Sequence, residues 1–152
     1  MEILLSLSLP RDADSVAVAR HIVRHALAEV GVTDDCTHDV ELALGEACSN
    51  VLLHSGPGEE YDVRLELDER RCELRVVDVG RGFEANGQQH ADQDPQAERG
   101  RGLGVMSALV DKVRFDSKPA AGTVVHLQKR LAYLDDSFGG RRLNETATPA
   151  EG

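Results

Sequence analysis

Tryptophan is absent from this chain, and aromatic residues make up only 3% of it. With 41% of residues hydrophobic, a core is still available, but it has to be built from Val, Leu, Ala and a little Ile. Disulfide chemistry is equally poor. Cys36, Cys48 and Cys72 are odd in number, far apart and without a CxxC pair, which excludes a disulfide framework and a zinc site built on thiolates. They read as free thiols of a reducing compartment. Long hydrophobic runs are also missing, so no stretch approaches the roughly 20 apolar residues of a membrane span. Met1 to Pro10 lacks the basic start of a signal peptide. A soluble, cytoplasmic protein with no membrane partner is the expectation.

Positive charge is scarce too. The formal net charge is −10, which repels a phosphate backbone and leaves a direct nucleic-acid role dependent on a local basic patch. In the sequence such patches are short: Arg99 and Arg101, then Arg141 and Arg142. No direct nucleic-acid partner is expected. The 152 residues suit one domain with a sizeable core, over residues 1–134. Residues 135–152 are polar and contain glycine, and the expectation there is a disordered tail.

What is present is clear periodicity. Ile3, Leu5, Leu7 and Leu9 alternate with less apolar residues, a strand that Pro10 stops. Asp12 or Asp14 can cap a helix reaching Val30, with Gly31 just past its end. Val16, Val23, Leu27 and Val30 form its apolar stripe, and Arg20 falls inside that stripe. A second helix is predicted from about Asp35 to His54, burying Cys36, Val40, Ala43, Leu44, Ala47 and Val51. Glu46 and Asn50 lie one turn apart at the border of this face.

Two strands follow. Tyr61, Val63, Leu65 and Leu67 share one face; after a turn near Glu69 to Arg71, Cys72, Leu74 and Val76 do the same. Continuing that parity, Asp78 points inward, and a buried carboxylate needs a partner. Phe83 to Glu98 has no periodicity and reads as a mobile loop or lid. Gly100 to Gly104 opens a helix with Val105, Met106, Leu109 and Val110. Val113 to Phe115 and Thr123 to Gln128 complete the sheet.

Three signals carry chemistry. Glu46 and Asn50 offer a base and a neutral oxygen ligand side by side, suited to proton abstraction and to a hard cation such as Mg²⁺. Asp78-Val79-Gly80-Arg81-Gly82 ends a strand in a carboxylate that can accept from an exocyclic amine, while the glycines let backbone approach a ligand. Gly100-Arg101-Gly102-Leu103-Gly104 presents backbone N–H groups at a helix start, where phosphate binds. Each has a plainer reading: a solvated helix charge, a surface amide, a turn-forming Asp, an ordinary glycine loop. Arg20 has two readings as well, a snorkelling side chain or a functional one. His21 and His25 fall at i and i+4 with no third ligand, so a solvated face is the simpler reading. Cys48 reads as packing, and Leu42 and Leu53 as either a partner surface or scattered exposed apolar residues.

Taken in order, these segments resemble the GHKL ATPases. Glu46 to Asn50 resembles their N box, Asp78 to Gly82 the D-x-G-x-G of the G1 box, and Gly100 to Gly104 the G2 box. Gly122-Thr123 resembles the glycine-threonine near their last strand. The short chain, the spacing of Glu46, Asn50 and His54, and Arg101 to Met106 are similar to bacterial anti-sigma factor serine kinases. The resemblance implies an α/β (α+β) two-layer sandwich, a Bergerat-type mixed sheet covered on one face by helices. It implies ATP and Mg²⁺ as cofactors, with Glu46 as catalytic base and Asn50 as Mg²⁺ ligand. Nucleotide contacts then fall to Asn50, Asp78, Gly80, Gly82, Gly100, Arg101, Gly102, Leu103, Gly104 and Thr123, with Asp78 and Thr123 at adenine. It also implies a homodimer, a sigma factor and a STAS-type anti-anti-sigma protein as partners, and Arg20 as a partner contact. Two departures stand out: the loop from Phe83 to Arg99 has no clear counterpart, and Arg101 stands where many relatives carry a small residue. A non-catalytic partner-binding module on the same fold is the alternative.

Overall fold

The computed structural model describes residues 1–54, 60–78, 104–118 and 122–147. The elements are β1 (Ile3–Pro10), α1 (Ala13–Val30), α2 (Asp34–His54), β2 (Glu60–Leu67), β3 (Arg71–Asp78), α3 (residues 104–109), β4 (Lys112–Lys118), β5 (Gly122–Arg130) and α4 (Phe138–Ala147). The strands form one sheet in the order β1-β2-β3-β5-β4. Helices α1 and α2 pack together against one face, α2 over β3 and β5 and α1 towards β1. This is the expected two-layer α+β sandwich.

Direction of pairing differs from the mixed sheet that the resemblance implies. Among the described residues all four pairings are antiparallel. β3 and β4 do run the same way, but β5 lies between them. Only residues 119–121 separate β4 from β5, so β5 turns straight back along β4 and takes the place beside β3.

Local chemistry explains the boundaries of α1. The Asp12 carboxylate accepts from the N–H groups of Asp14 at 2.8 Å and Ser15 at 3.1 Å, so Asp12 and not Asp14 is the cap. At the other end Gly31 has φ 92°, the left-handed conformation that closes a helix. A side chain there would also overlap Ser137, so glycine is required twice over. The buried face of α1 is Ser15, Ala19, Val23, Leu27 and Val30, with Val16 only half-buried at its margin.

Strand parity holds throughout. Tyr61, Val63, Leu65, Leu67, Cys72, Leu74, Val76, Val125 and Leu127 are all buried against the helices. Tyr61 is the largest fully buried side chain, and its hydroxyl lies 2.7 Å from Ser15 Oγ, which satisfies it. The outer face carries Arg64, Glu66, Glu73, Arg75, His126 and Gln128, exposed or half-buried. No helix among the described residues is long and apolar enough to cross a membrane.

The expected tail is a correction. Phe138–Ala147 is helical, while 148–152 lie outside the described residues. Gly139 and Gly140, residues of low helix propensity, are both buried in it. A Cβ on Gly139 would overlap the Tyr133 ring, and one on Gly140 would overlap the Leu134 carbonyl. Ser137 Oγ accepts from the N–H of Gly140 at 3.0 Å, and Leu134 N–H donates to Gly31 O at 2.9 Å. The glycines permit close approach, and that contact holds α4 to the junction of α1 and α2.

The aliphatic core leaves a pH signature. Burial pushes the Cys48 and Cys72 thiols from their usual 9 up to about 12, and the Tyr61 and Tyr133 phenols from 10 up to about 12. The unfolded chain then loses these protons first, so stability is complete below pH 9 and drains away as pH rises towards 12. Urea unfolding at stepped pH is expected to show this alkaline decline. A midpoint that stays level across that window would contradict it.

Candidate functional site

At one end of the sheet the register sets Asp78 of β3 directly opposite Thr123 of β5. Both side chains face inward, Asp78 with 0% exposure and Thr123 with 6%. Asp78 is therefore a carboxylate in the core, where an isolated charge is costly. One partner is Arg11, whose Nη1 donates to Asp78 Oδ2 at 3.2 Å. The same guanidinium donates through Nη2 to the carbonyls of Val51 and Leu52, each at 3.4 Å. Arg11 thus ties the end of β3 to the last turns of α2, which bear Asn50.

Arg11 is the residue that sequence reasoning misses. Strand register brings it there: β1 pairs with β2 so that Pro10 lies opposite Glu60, and β2 pairs with β3 so that Asp62 lies opposite Val77. The residue after Pro10 is therefore level with the end of β3. Strand parity demands a cation for Asp78, and the register puts one at that level.

Asn50 and Glu46 lie one turn apart on α2, both half-buried at the edge of its apolar face. Two polar atoms in this region are buried without a hydrogen-bond partner among the described residues: Thr123 Oγ1 and Asn50 Nδ2. A buried polar atom left unpaired costs on the order of 1–3 kcal/mol and calls for a ligand or an ordered water. A carboxylate, an unsatisfied hydroxyl and an unsatisfied amide at this end of the sheet can read a planar polar ring and hold an oxygen-rich group beside it. These groups fit an adenine nucleotide, and the side-chain oxygen of Asn50 is of the donor type that Mg²⁺ accepts.

The glycine segments are only partly visible. Gly80, Gly82, Gly100, Arg101, Gly102 and Leu103 lie outside the described residues, as does the expected loop at 83–98. Gly104 opens α3 and is exposed, and an added Cβ would meet nothing within 4 Å. Met106, two residues on, is fully buried and anchors α3 to the core.

Arg20 belongs to a different group of side chains. Its stem lies over Gly45, where a Cβ would sit 3.4 Å from Arg20 Cδ, and its Nη2 is 3.9 Å from Glu41 Oε1. Arg24 Nη1 is 4.0 Å from the same oxygen. Arg20 Nε is buried with no hydrogen-bond partner among the described residues, so the side chain runs between the helices and only its tip reaches water. His21 and His25 lie on the outer side of α1, and Cys48 is buried in packing.

Residues 9–129 match the Histidine kinase-like ATPase domain. The chain is 29% identical over 139 residues to a Serine-protein kinase RsbW of Bacillus velezensis, covering 84% of this chain and 85% of that one. It is 30% identical over 127 residues to an Anti-sigma F factor of Pasteuria penetrans, covering 78% and 85%. A crystal structure of the RsbU and RsbW domains of a Mycobacterium tuberculosis protein superimposes with a TM-score of 0.66 at 22% identity. That match spans 85% of this chain and 32% of the other, and it bears on the fold alone. The chain therefore belongs to the histidine kinase-like ATPase domain family.

Proposed function

We propose that this protein is an ATP-binding anti-sigma factor and serine-protein kinase, which sequesters a sigma factor and phosphorylates a STAS-type anti-anti-sigma protein. The observation that carries the nucleotide part is the inward Asp78 opposite Thr123, with the Thr123 hydroxyl and the Asn50 amide both unsatisfied. Family membership and the names of the relatives support the rest.

Each residue has a role on this reading. Asp78 accepts from the exocyclic amine of adenine, and the Thr123 hydroxyl bonds the ring beside it. Arg11 holds the carboxylate in place and compensates its charge. Asn50 would hold Mg²⁺ through its side-chain oxygen, and the ion would neutralise charge on the phosphates. Gly80, Gly82 and the run from Gly100 to Gly104, with Arg101 and Leu103, line the phosphates. Bound Mg-ATP supplies the phosphoryl group. Glu46 takes the proton of the substrate serine hydroxyl. Arg20, held between the helices with an unsatisfied Nε, contacts a protein partner. Two copies of the chain form a homodimer, which light scattering at micromolar concentration tests directly.

Gly104 offers a way to separate phosphate binding from folding. Space around it is open, so Gly104→Ala is expected to leave stability unchanged or raise it by up to ~1 kcal/mol. If backbone at this helix start approaches phosphate closely, ATP affinity falls in the same variant. Calorimetry with an unchanged ATP affinity would remove Gly104 from the phosphate contacts.

One observation favours a second reading. Asp78 already carries an arginine at 3.2 Å, so the carboxylate is satisfied in part without nucleotide. A partner-binding module with structural nucleotide or none would share this feature. Incubation with γ-labelled ATP and the cognate STAS protein discriminates the two. Label on the STAS serine is the expected result, and its absence in the presence of bound ATP would leave the binding module.

A further inference from the structure

At the opposite end of the same two strands lies a concavity of about 820 Å³. Its chemistry is set by strand register. Arg71 of β3 stands directly opposite Arg130 of β5, two exposed like charges facing each other across the ladder. Such pairs are ordinarily disfavoured. Arg70 from the β2–β3 turn and Lys112 from β4 bring the number of cations in its lining to four.

Two carboxylates are near, Asp68 and Asp111, and both are engaged with the main chain. Asp68 Oδ1 accepts from the N–H of Arg70 at 2.7 Å and of Arg71 at 2.9 Å. Asp111 Oδ2 accepts from the N–H of Arg130. Among the described residues Arg70, Lys112 and Arg130 form no side-chain ion pair. Arg71 is oriented by the Gln128 amide, whose oxygen, turned towards it, accepts from Nη1 at 2.7 Å and Nε at 3.3 Å. In a chain of net charge −10, four cations against two carboxylates leave this hollow with a net positive lining. Leu131 and Leu143 give it an apolar side, Leu143 arriving on α4.

We infer that this cavity binds a small anion carrying at least two phosphate groups, at a site separate from Asp78 and Thr123. Arginine forks match phosphate oxygens in pairs, and a concave cluster of one sign concentrates anions. The volume suits a small molecule. Arg71 and Asp78 stand at opposite ends of the eight-residue β3, roughly 23 Å apart at strand rise, so one nucleotide cannot serve both places. The opposed arginines then have a use: the ligand's charge relieves the repulsion across the ladder.

Inorganic pyrophosphate is the probe, followed through backbone amide NMR shifts of the full chain. Saturable shifts are expected at the amides of Arg70, Arg71, Asp111, Gln128 and Arg130, as a set distinct from any response near Asp78. In the double variant Arg71→Gln with Arg130→Gln the affinity for this set falls at least about tenfold. ATP-induced shifts around Asp78 stay the same. That variant is expected to unfold at an equal or higher temperature than wild type, because the like-charge pair is gone. Lys112→Gln, a single change on an exposed side chain, weakens the same response severalfold. Absence of saturable shifts at these amides, or equal affinity in the double variant, would overturn the proposal. So would a hexaglutamate peptide that binds there more tightly than pyrophosphate, which would assign the surface to an acidic protein segment.

Discussion

Replacing Arg11 with alanine is expected to lower the free energy of unfolding by about 3–5 kcal/mol, among the largest effects available to one side chain here. The loss comes less from the missing attraction than from what remains, a carboxylate at Asp78 with 0% exposure and the guanidinium beside it gone. Asp78→Asn in the Arg11→Ala background is therefore expected to recover much of the loss, since a neutral amide does not carry the same desolvation cost. Denaturant unfolding of the two variants and the wild type measures both effects. A cost below ~1 kcal/mol for Arg11→Ala would mean that the carboxylate is compensated chiefly by other contacts. Removing Arg11 also frees α2 from the end of β3, so the variant is expected to bind nucleotide more weakly at temperatures where it remains folded.

The second large effect concerns chemistry. Glu46→Gln keeps the size and half-buried setting of the side chain but removes its ability to take a proton. Phosphoryl transfer to the STAS serine is expected to fall about 10²- to 10⁴-fold in single-turnover assays, with ATP affinity almost unchanged. A drop in affinity with the transfer rate preserved would make Glu46 a binding residue. Equal rates in the two proteins would leave the base to another group.

Much of this arrangement is legible in the amino-acid order alone. Alternation along Cys72, Leu74 and Val76 sets the parity that turns Asp78 inward, because a two-residue period leaves no freedom once one face is buried. The cap at Asp12 and the stop at Gly31 follow from local hydrogen bonding and a positive φ, and both act within a few residues. The pairing of Asp78 with Thr123 is reached only through resemblance, since cross-strand register depends on segments far apart in the chain.

What escapes a reading of the sequence is likewise non-local. Arg11 meets Asp78 across 67 positions, and no pattern around Arg11 announces it. The helix Phe138–Ala147 is hidden by Gly139 and Gly140, whose low helix propensity is overridden by contact with Tyr133 and Leu134. The cationic hollow is invisible for the same reason. Arg70 and Arg71 are neighbours in sequence, but Lys112 and Arg130 join them only when β3, β5 and β4 line up.

Asp78, Thr123 and Asn50 are proposed to form the nucleotide site. Its most direct test is an ATP titration by calorimetry with and without Mg²⁺, on the wild type and on Asn50→Ala. Binding that requires Mg²⁺ and weakens about tenfold or more in the variant is expected, as loss of a metal ligand implies. No detectable binding to the wild type, or binding indifferent to both Mg²⁺ and Asn50, would contradict it.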